Sequence, residues 1–109
     1  MDGYIPFVTR KVSLKIPLKD VIYILRKDRK IKIATEQGSY ECYEKLQNIE
    51  PHLDQRFYHC LKGLIVNFDK VERMEDQTIF LKNGECWIIS KNNYIKSKQT
   101  FSAYLKKLI

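Results

Sequence analysis

A short apolar run at residues 64–68, with the sequence LIVNF, constrains the fold of this chain more than any other feature. A nearly continuous apolar segment of this length indicates a strand that is buried on both faces. Lys62 and Gly63 come directly before it, and the glycine permits a tight turn or a close approach of the backbone. The segment therefore predicts a rigid strand with a lysine at the turn that precedes it.

The lysine at this turn has two interpretations. A basic turn on a rigid strand can reach into a nucleic-acid groove. A surface turn that carries a solvated lysine is the more ordinary outcome, and the segment alone favours it. Because residues 55–68 contain Arg56, His59 and Lys62 but no acid, the stretch is basic, and the rest of the chain decides between the two interpretations.

The distribution of charge favours a polyanionic partner. The chain has 109 residues, which suit one domain over residues 1–109 with its core at about 10–108, and its net charge is +7. Residues 10–32 hold nine Lys or Arg and two Asp, residues 33–86 have an excess of acids, and residues 87–109 hold five Lys and no acid. Such a pattern predicts one positive face, which would attract nucleic acid or an anionic membrane surface.

Neither a membrane span nor a secretion signal is evident. No apolar run approaches the roughly 20 residues that cross a bilayer, and the N-terminus lacks the apolar core of a signal peptide. We therefore expect a cytoplasmic protein. Cys42, Cys60 and Cys86 are odd in number, widely spaced and without a CxxC pair, so we expect three small buried hydrophobic side chains.

A cationic hairpin is predicted near the N-terminus. Residues 11–16 alternate like a half-buried strand, and residues 20–25 and 30–35 form two strands that flank a short polar segment. Four positive charges in the five residues 26–30 exceed what protection of a sheet edge needs, although edge protection remains an alternative. The candidate contacts on this tip are Arg26, Lys27, Arg29 and Lys30.

A helix is expected at residues 40–50. Ser39 can cap its start, and Tyr43, Leu46 and Ile49 recur at three-residue intervals, which gives a narrow apolar stripe. Pro51 ends the helix. We expect it to pack on the sheet and to have no other role.

The last third of the chain predicts a second hairpin and a C-terminal helix. After a polar connection at residues 73–77, residues 78–81 and 86–89 form strands around an Asn-Gly turn, which is a strong hairpin signal. Lys91, Asn92 and Asn93 follow; they can pair with base edges, or they can favour a turn for local reasons. The positions that fit helical spacing within residues 94–108 are Tyr94, Ile95, Lys98, Phe101, Leu105 and Leu108.

The sequence contains no motif of an active site: no GxSxG, no Gly-rich phosphate loop and no HExxH. His52 and His59 are the only histidines. His59 and Cys60 are neighbours, so on a strand they point to opposite faces and cannot bind one metal together. We expect a protein that is not an enzyme and has no metal or cofactor.

Four segments, in this order, resemble signatures of the LytTR DNA-binding domain of bacterial transcription regulators, and the resemblance extends over about residues 10–108. The strand signature is residues 20–24 (DVIYI), and the central signature is residues 57–60 with 65–67 (FYHC and IVN). The hairpin is residues 81–84 (LKNG), and the pair of a serine and a basic residue is Ser90-Lys91.

This resemblance implies a mainly β fold, an elongated antiparallel sheet or sandwich with one short inserted helix and a short C-terminal helix. It implies double-stranded promoter DNA as the partner, with basic loops that enter successive major grooves of a direct repeat. It also implies a response regulator of a two-component system, whose receiver domain or second copy would be a further partner; residues 1–9 are too short for a receiver. The DNA-binding positions carried over are Lys30, Lys62 and Lys91, with His59, Asn92 and Asn93 beside them.

The chain departs from the family pattern at two places. Leu61, Lys62 and Gly63 stand where the family has His-Arg-Ser, and Lys91 stands where it has Arg. Because lysine presents a point charge and arginine a planar fork, bidentate readout of guanine is expected to weaken while attraction to phosphates persists. Asn67 is expected to be structural, bonded to nearby backbone. The alternative function is a small basic β-domain that binds another protein.

Overall fold

The computed structural model describes residues 3–109, in which ten strands and two helices are found. The strands are β1 (Tyr4–Val8), β2 (Ser13–Pro17), β3 (Val21–Lys27), β4 (Lys30–Thr35), β5 (Gly38–Tyr43), β6 (Phe57–Leu61), β7 (Leu64–Asn67), β8 (Val71–Glu75), β9 (Thr78–Leu81) and β10 (Cys86–Ile88), and the helices are α1 (Leu46–Ile49) and α2 (Lys91–Lys107). All strand pairs are antiparallel. The predicted fold class, mainly β with one short inserted helix and a C-terminal helix, is confirmed.

A central five-stranded sheet, in the order β5-β4-β3-β7-β6, is covered on both faces. The β1–β2 hairpin and α1 pack on one face, and the three-stranded sheet β10-β9-β8 and α2 pack on the other. Within β7, Leu64 and Val66 face the three-stranded sheet and α2, whereas Ile65 faces the β1–β2 hairpin. Both faces of β7 are therefore buried, as the apolar run predicted.

Two units of similar local structure recur in the fold. Each begins with a 3-10 turn, Leu18–Asp20 or Phe68–Lys70, and continues into a hairpin, β3–β4 or β8–β9. In both units the residue after the hairpin donates its backbone N–H to the last carbonyl of the turn, Glu36 at 3.0 Å and Lys82 at 2.9 Å. The Glu36 carboxylate also pairs with Lys70, which ties the first unit to the second.

The helix predicted at residues 40–50 is wrong over its first half. Residues Gly38–Tyr43 form β5, with Tyr40 paired to Ile33 and Cys42 to Ile31 of β4. Only Leu46–Ile49 is α-helical, and no side chain caps its start. Of the three apolar residues that suggested a helix, Leu46 and Ile49 lie in α1 and only Tyr43 lies in a strand. Pairing of residues 38–43 with β4 outweighs their local preference for a helix.

The polar connection predicted at residues 73–77 is also wrong. The strand β8 extends to Glu75, and the turn consists of Asp76 and Gln77, both with positive φ. Met74 is buried in the core, and Arg73 lies 3.8 Å over the ring of Phe80. Charged residues on an edge strand, which protect it from pairing with other chains, concealed the strand in the sequence.

The C-terminal helix starts earlier and buries a different face than predicted. It begins at Lys91, and Phe101 is buried as expected, but Ile95, Leu105 and Leu108 are exposed. Its inner face instead includes Ser97, whose hydroxyl donates to the carbonyl of Asn93 at 2.7 Å. Within residues 3–109 no helix is both long and apolar enough to span a membrane.

Two further expectations need correction. Of the three cysteines, only Cys60 is buried, Cys42 is half-buried and Cys86 is exposed. Burial raises the pKa of the Cys60 thiol to about 11. The N-terminal strand β1, which the sequence analysis did not identify, places Ile5 and Phe7 in the core.

Candidate nucleic-acid interface

Two hairpin tips and the end of β5 lie at one end of the central sheet. The β3–β4 tip and the β6–β7 tip share this end because β3 and β7 are antiparallel neighbours, with Leu25 opposite Leu64. The last residue of β5, Tyr43, is paired with Lys30 at the start of β4 and lies at the same end. The fold therefore gathers loops that are more than 30 residues apart in the sequence.

The β3–β4 tip is smaller than predicted. Only Asp28 and Arg29 form the turn, and Asp28 adopts a positive φ of 59°. Lys27 and Lys30 are the last paired residues of the hairpin, and Arg26 belongs to β3. The cationic loop predicted at residues 26–30 is thus corrected to a two-residue turn at the end of two basic strands.

The β6–β7 tip consists of Lys62 and Gly63, as predicted. Gly63 has a φ of +85°, a conformation that glycine adopts without strain. Its carbonyl accepts a hydrogen bond from the backbone N–H of Arg26 at 2.7 Å, which joins the two tips. Lys62 is exposed at the apex.

A groove with a volume of about 1330 Å³ runs along this end of the molecule, between the tips, α1 and the first turns of α2. It brings together five of the nine predicted site residues. They are Arg26, Arg29, His59, Lys62 and Asn93.

The remaining predicted residues are exposed outside the groove. In the part of the chain that the structure describes, Lys27, Lys30, Lys91 and Asn92 do not line it. Lys30 instead extends over the ring of Tyr43, with its Nζ atom 5.1 Å from the ring centroid.

The segment of Lys91, Asn92 and Asn93 is the first turn of α2 rather than an irregular turn. The hydroxyl of Ser90 caps this turn by accepting a hydrogen bond from the backbone N–H of Asn93 at 3.3 Å. The segment for which the sequence indicated a turn therefore forms the start of a helix. Asn93 is positioned by the helix and faces the groove.

His59 lies on β6 with its side chain exposed, and its neighbour Cys60 is buried on the opposite face, as the sequence predicted. Its Nδ1 atom is 3.3 Å from a carboxylate oxygen of Glu50, just after α1. His59 therefore contributes to the groove wall as the partner of an acid.

Sequence reasoning missed three residues of the groove. Tyr43 was assigned to a buried helical stripe, and Lys45 lay inside the same mispredicted helix, although both line the groove. Lys96 lines it from α2, one turn after Asn92. The sequence placed Lys96 off the apolar positions of the C-terminal helix and indicated a solvated lysine that could contact phosphate, so it was not counted among the site residues.

Positive charge exceeds negative charge in the groove. Among the described lining residues there are five Lys or Arg side chains and three carboxylates. Two of the carboxylates are engaged: Glu50 with His59, and Glu44 with Asn48 and the N–H of Lys45. The hydrogen bond from the Asn48 amide, more than any other cause, lowers the pKa of Glu44. The groove therefore carries more exposed cations than free carboxylates.

Asn67 is structural, as predicted. It is fully buried, its amide donates to the carbonyl of Val21 at 2.8 Å, and its side-chain oxygen accepts from the N–H of Asp69 at 2.9 Å. It thereby connects the end of β7 to the start of β3.

Comparison with known proteins identified one family and one fold. The model of the LytTr DNA-binding domain family matches residues 11–102. Among solved structures, the chain is similar to the LytTr DNA-binding domain of a protein described as a methyl-accepting/DNA response regulator from Bacillus cereus. The TM-score is 0.74 and the sequence identity is 21%. The match covers 90% of this chain and 95% of that chain. No curated protein sequence matched.

Proposed function

Since this chain belongs to the family of LytTr DNA-binding domains, we propose that it binds double-stranded promoter DNA with sequence specificity as part of a transcription regulator. The observation that carries this proposal is the convergence of two hairpin tips and the start of α2 on one groove rich in cations. Such a surface attracts a polyanion and places side chains on rigid elements, where they can contact base edges.

The sizes of the elements support insertion of the tips into a major groove. Neighbouring strands lie about 4.8 Å apart, so the β3–β4 and β6–β7 tips are separated by about 10 Å, and a major groove is about 12 Å wide. Arg29 and Lys62 can therefore enter one major groove of the DNA together. The longest dimension of the molecule is 42 Å, which exceeds one helical turn of about 34 Å, so the same domain can reach a successive groove.

The remaining candidate residues have different roles in this proposal. Arg26, His59 and Asn93 line the groove of the protein and would contact the DNA from the wall of that groove. Lys27, Lys30, Lys91 and Asn92 would contact flanking phosphates. Phosphate contacts set the position of the protein, and base contacts select the sequence.

At the level of the assembly, we propose that residues 1–109 act as one DNA-binding unit. Each unit would occupy one half of a direct repeat, with a second copy or a receiver domain as its protein partner. In this proposal the protein binds DNA, catalyses no reaction and uses no metal or cofactor. Binding would take place in the cytoplasm, where bacterial promoters are.

Selection of bound duplexes from a random DNA pool at near-physiological salt tests the proposal. An enriched motif, repeated at about one helical turn, is the expected result. Binding that is sensitive to salt but enriches no motif would contradict sequence specificity. If no duplex is retained at all, the DNA partner is wrong and the alternative of a protein partner takes precedence.

A substitution at the β6–β7 tip tests the interface itself. We expect Lys62→Ala to leave folding intact and to reduce affinity for the selected duplex several-fold, because it removes the exposed cation at the apex. Fluorescence anisotropy titration measures the affinity, and a thermal melt checks folding.

Lys82→Ala is the matched control, because Lys82 is an exposed lysine next to the β9–β10 turn, outside the residues that line the groove. It should bind as the wild type does. Equal losses in the two variants would indicate an effect of total charge and not of this interface.

A further inference from the structure

We propose that Tyr43 reads the methyl group of a thymine at the β5 side of the groove, with Lys30 as the residue that positions its ring. This inference rests on the proposed function, because it assigns a base contact within the same interface. It concerns a residue that the family signatures in the sequence did not mark.

Tyr43 is unusually exposed for a large aromatic side chain at a functional surface. Its relative exposure is 75%, against 2% for Tyr23. Within residues 3–109 its ring belongs to neither hydrophobic core, and its hydroxyl has no hydrogen-bond partner. Core packing therefore gives no reason for an aromatic residue at this position.

The location of Tyr43 relates it to the tips. It ends β5 at the same end of the sheet as Arg29, and both line the groove. With strands about 4.8 Å apart, β5 lies about 7 Å from the centre of the β3–β4 tip. That distance corresponds to about two base pairs of a duplex, since each pair rises about 3.4 Å.

The ring is held from one side by a cation. The Nζ atom of Lys30 lies 5.1 Å from the ring centroid, within the range of a cation–π interaction. Cross-strand pairing of Lys30 with Tyr43 brings the two side chains together. The ammonium group occupies one face and leaves the rest of the ring open toward the groove.

The chemistry of the major groove indicates what the ring would contact. In a duplex the faces of the bases are stacked, so an aromatic side chain meets only their edges. Among those edges, the C5 methyl group of thymine is the apolar feature. Contact between this methyl and the ring removes apolar surface of both from water, which is favourable.

The test uses a duplex recovered by the selection, in which each thymine is replaced in turn by uracil, which lacks the methyl group. We expect one thymine, within about two to three base pairs of the Arg29 contact, at which uracil lowers wild-type affinity roughly fourfold. Tyr43→Ala should lower affinity for the unmodified duplex by a similar factor and should be insensitive to uracil at that position. Tyr43→Phe should retain both the affinity and the uracil effect.

Tyr4→Ala provides a matched control. Tyr4 is 43% exposed and has Lys15 above its ring at 4.7 Å, but it lies on the β1–β2 hairpin. Among the described residues, those that line the groove do not include Tyr4. This variant should bind as the wild type does and keep its uracil sensitivity. Thermal melts of the variants verify that each is folded.

Several outcomes would overturn the inference while leaving the proposed function in place. One is specific binding in which Tyr43→Ala has wild-type affinity, and another is a uracil effect that persists in Tyr43→Ala. A loss in Tyr43→Phe equal to that in Tyr43→Ala would assign the contact to the hydroxyl group. A selected motif without thymine at those positions would also exclude methyl readout. Failure of the wild type to bind any duplex would overturn both proposals.

Discussion

At the scale of single residues, Asn67 shows why a polar side chain stands in a strand that is otherwise apolar. Its two hydrogen bonds reach a backbone carbonyl at the start of β3, that of Val21, and a backbone N–H in the 3-10 turn that follows β7, that of Asp69. A buried amide is tolerated there because its donor and its acceptor are both used.

We expect Asn67→Ala to lower the free energy of unfolding by about 2–3 kcal/mol, since the buried carbonyl of Val21 and the partly buried N–H of Asp69 lose their partner. Urea denaturation measures the change. DNA affinity, determined well below the melting temperature, should stay at the wild-type value. A large loss of affinity in the folded variant would contradict a purely structural role.

Asn83→Ala is the appropriate control for this substitution. Asn83 also accepts a hydrogen bond from the N–H two residues later, that of Glu85 at 3.0 Å, but it is exposed in the β9–β10 turn. Water can replace the lost bond there, so its cost should be smaller than that of Asn67→Ala.

At the scale of elements, the two hairpin tips depend on each other through Gly63. The glycine adopts a backbone conformation that a side chain disfavours, and its carbonyl accepts the N–H of Arg26. The position of Lys62 therefore depends on the geometry of this turn as well as on its own side chain.

We expect Gly63→Ala to destabilise the fold by about 1–2 kcal/mol through the left-handed conformation and, in addition, to weaken DNA binding. Gly84→Ala is the matched variant, because Gly84 has a similar φ of +94° in the β9–β10 turn, away from the groove. Thermal denaturation should show comparable losses of stability, and a binding titration should show a loss of affinity only for Gly63→Ala. Equal affinities would mean that the tip geometry does not matter for binding.

At the scale of the whole molecule, the location of charge matters more than its total. The groove contains five Lys or Arg side chains, whereas the far end of α2 carries Lys106 and Lys107, which are exposed and, within the described chain, do not line the groove. Removal of cations at the two places should therefore have different effects on binding to DNA.

We expect the logarithm of the wild-type affinity to fall with the logarithm of salt concentration with a slope of at least about 4 to 5 in magnitude, since the five groove cations and the flanking lysines would each neutralise phosphates. The double variant Lys106→Gln/Lys107→Gln should keep this slope, and Lys62→Ala should reduce its magnitude by about one. Anisotropy titrations over a series of salt concentrations measure all three. A larger effect of the double variant would place the DNA elsewhere on the molecule.

Features that depend on neighbouring residues could be predicted from the sequence. The apolar run predicted β7, Lys62 and Gly63 predicted the β6–β7 tip, and the Asn-Gly pair predicted the β9–β10 hairpin. These signals are local, because turn chemistry and strand periodicity are properties of a few consecutive residues. The order and spacing of four such segments are enough to indicate the family from the sequence alone.

Which of these residues share a site depends on contacts between distant parts of the chain. Residues 40–43 became a strand because β4 offered them partners, and this pairing placed Tyr43 beside Lys30 and in the groove. The hydrogen bond between Arg26 and Gly63 joins positions 37 residues apart. Burial and proximity of this kind depend on contacts between distant segments, and periodicity along the chain does not encode those contacts. Where the two disagree, the energies of strand pairing and packing outweigh the local preference of the residues.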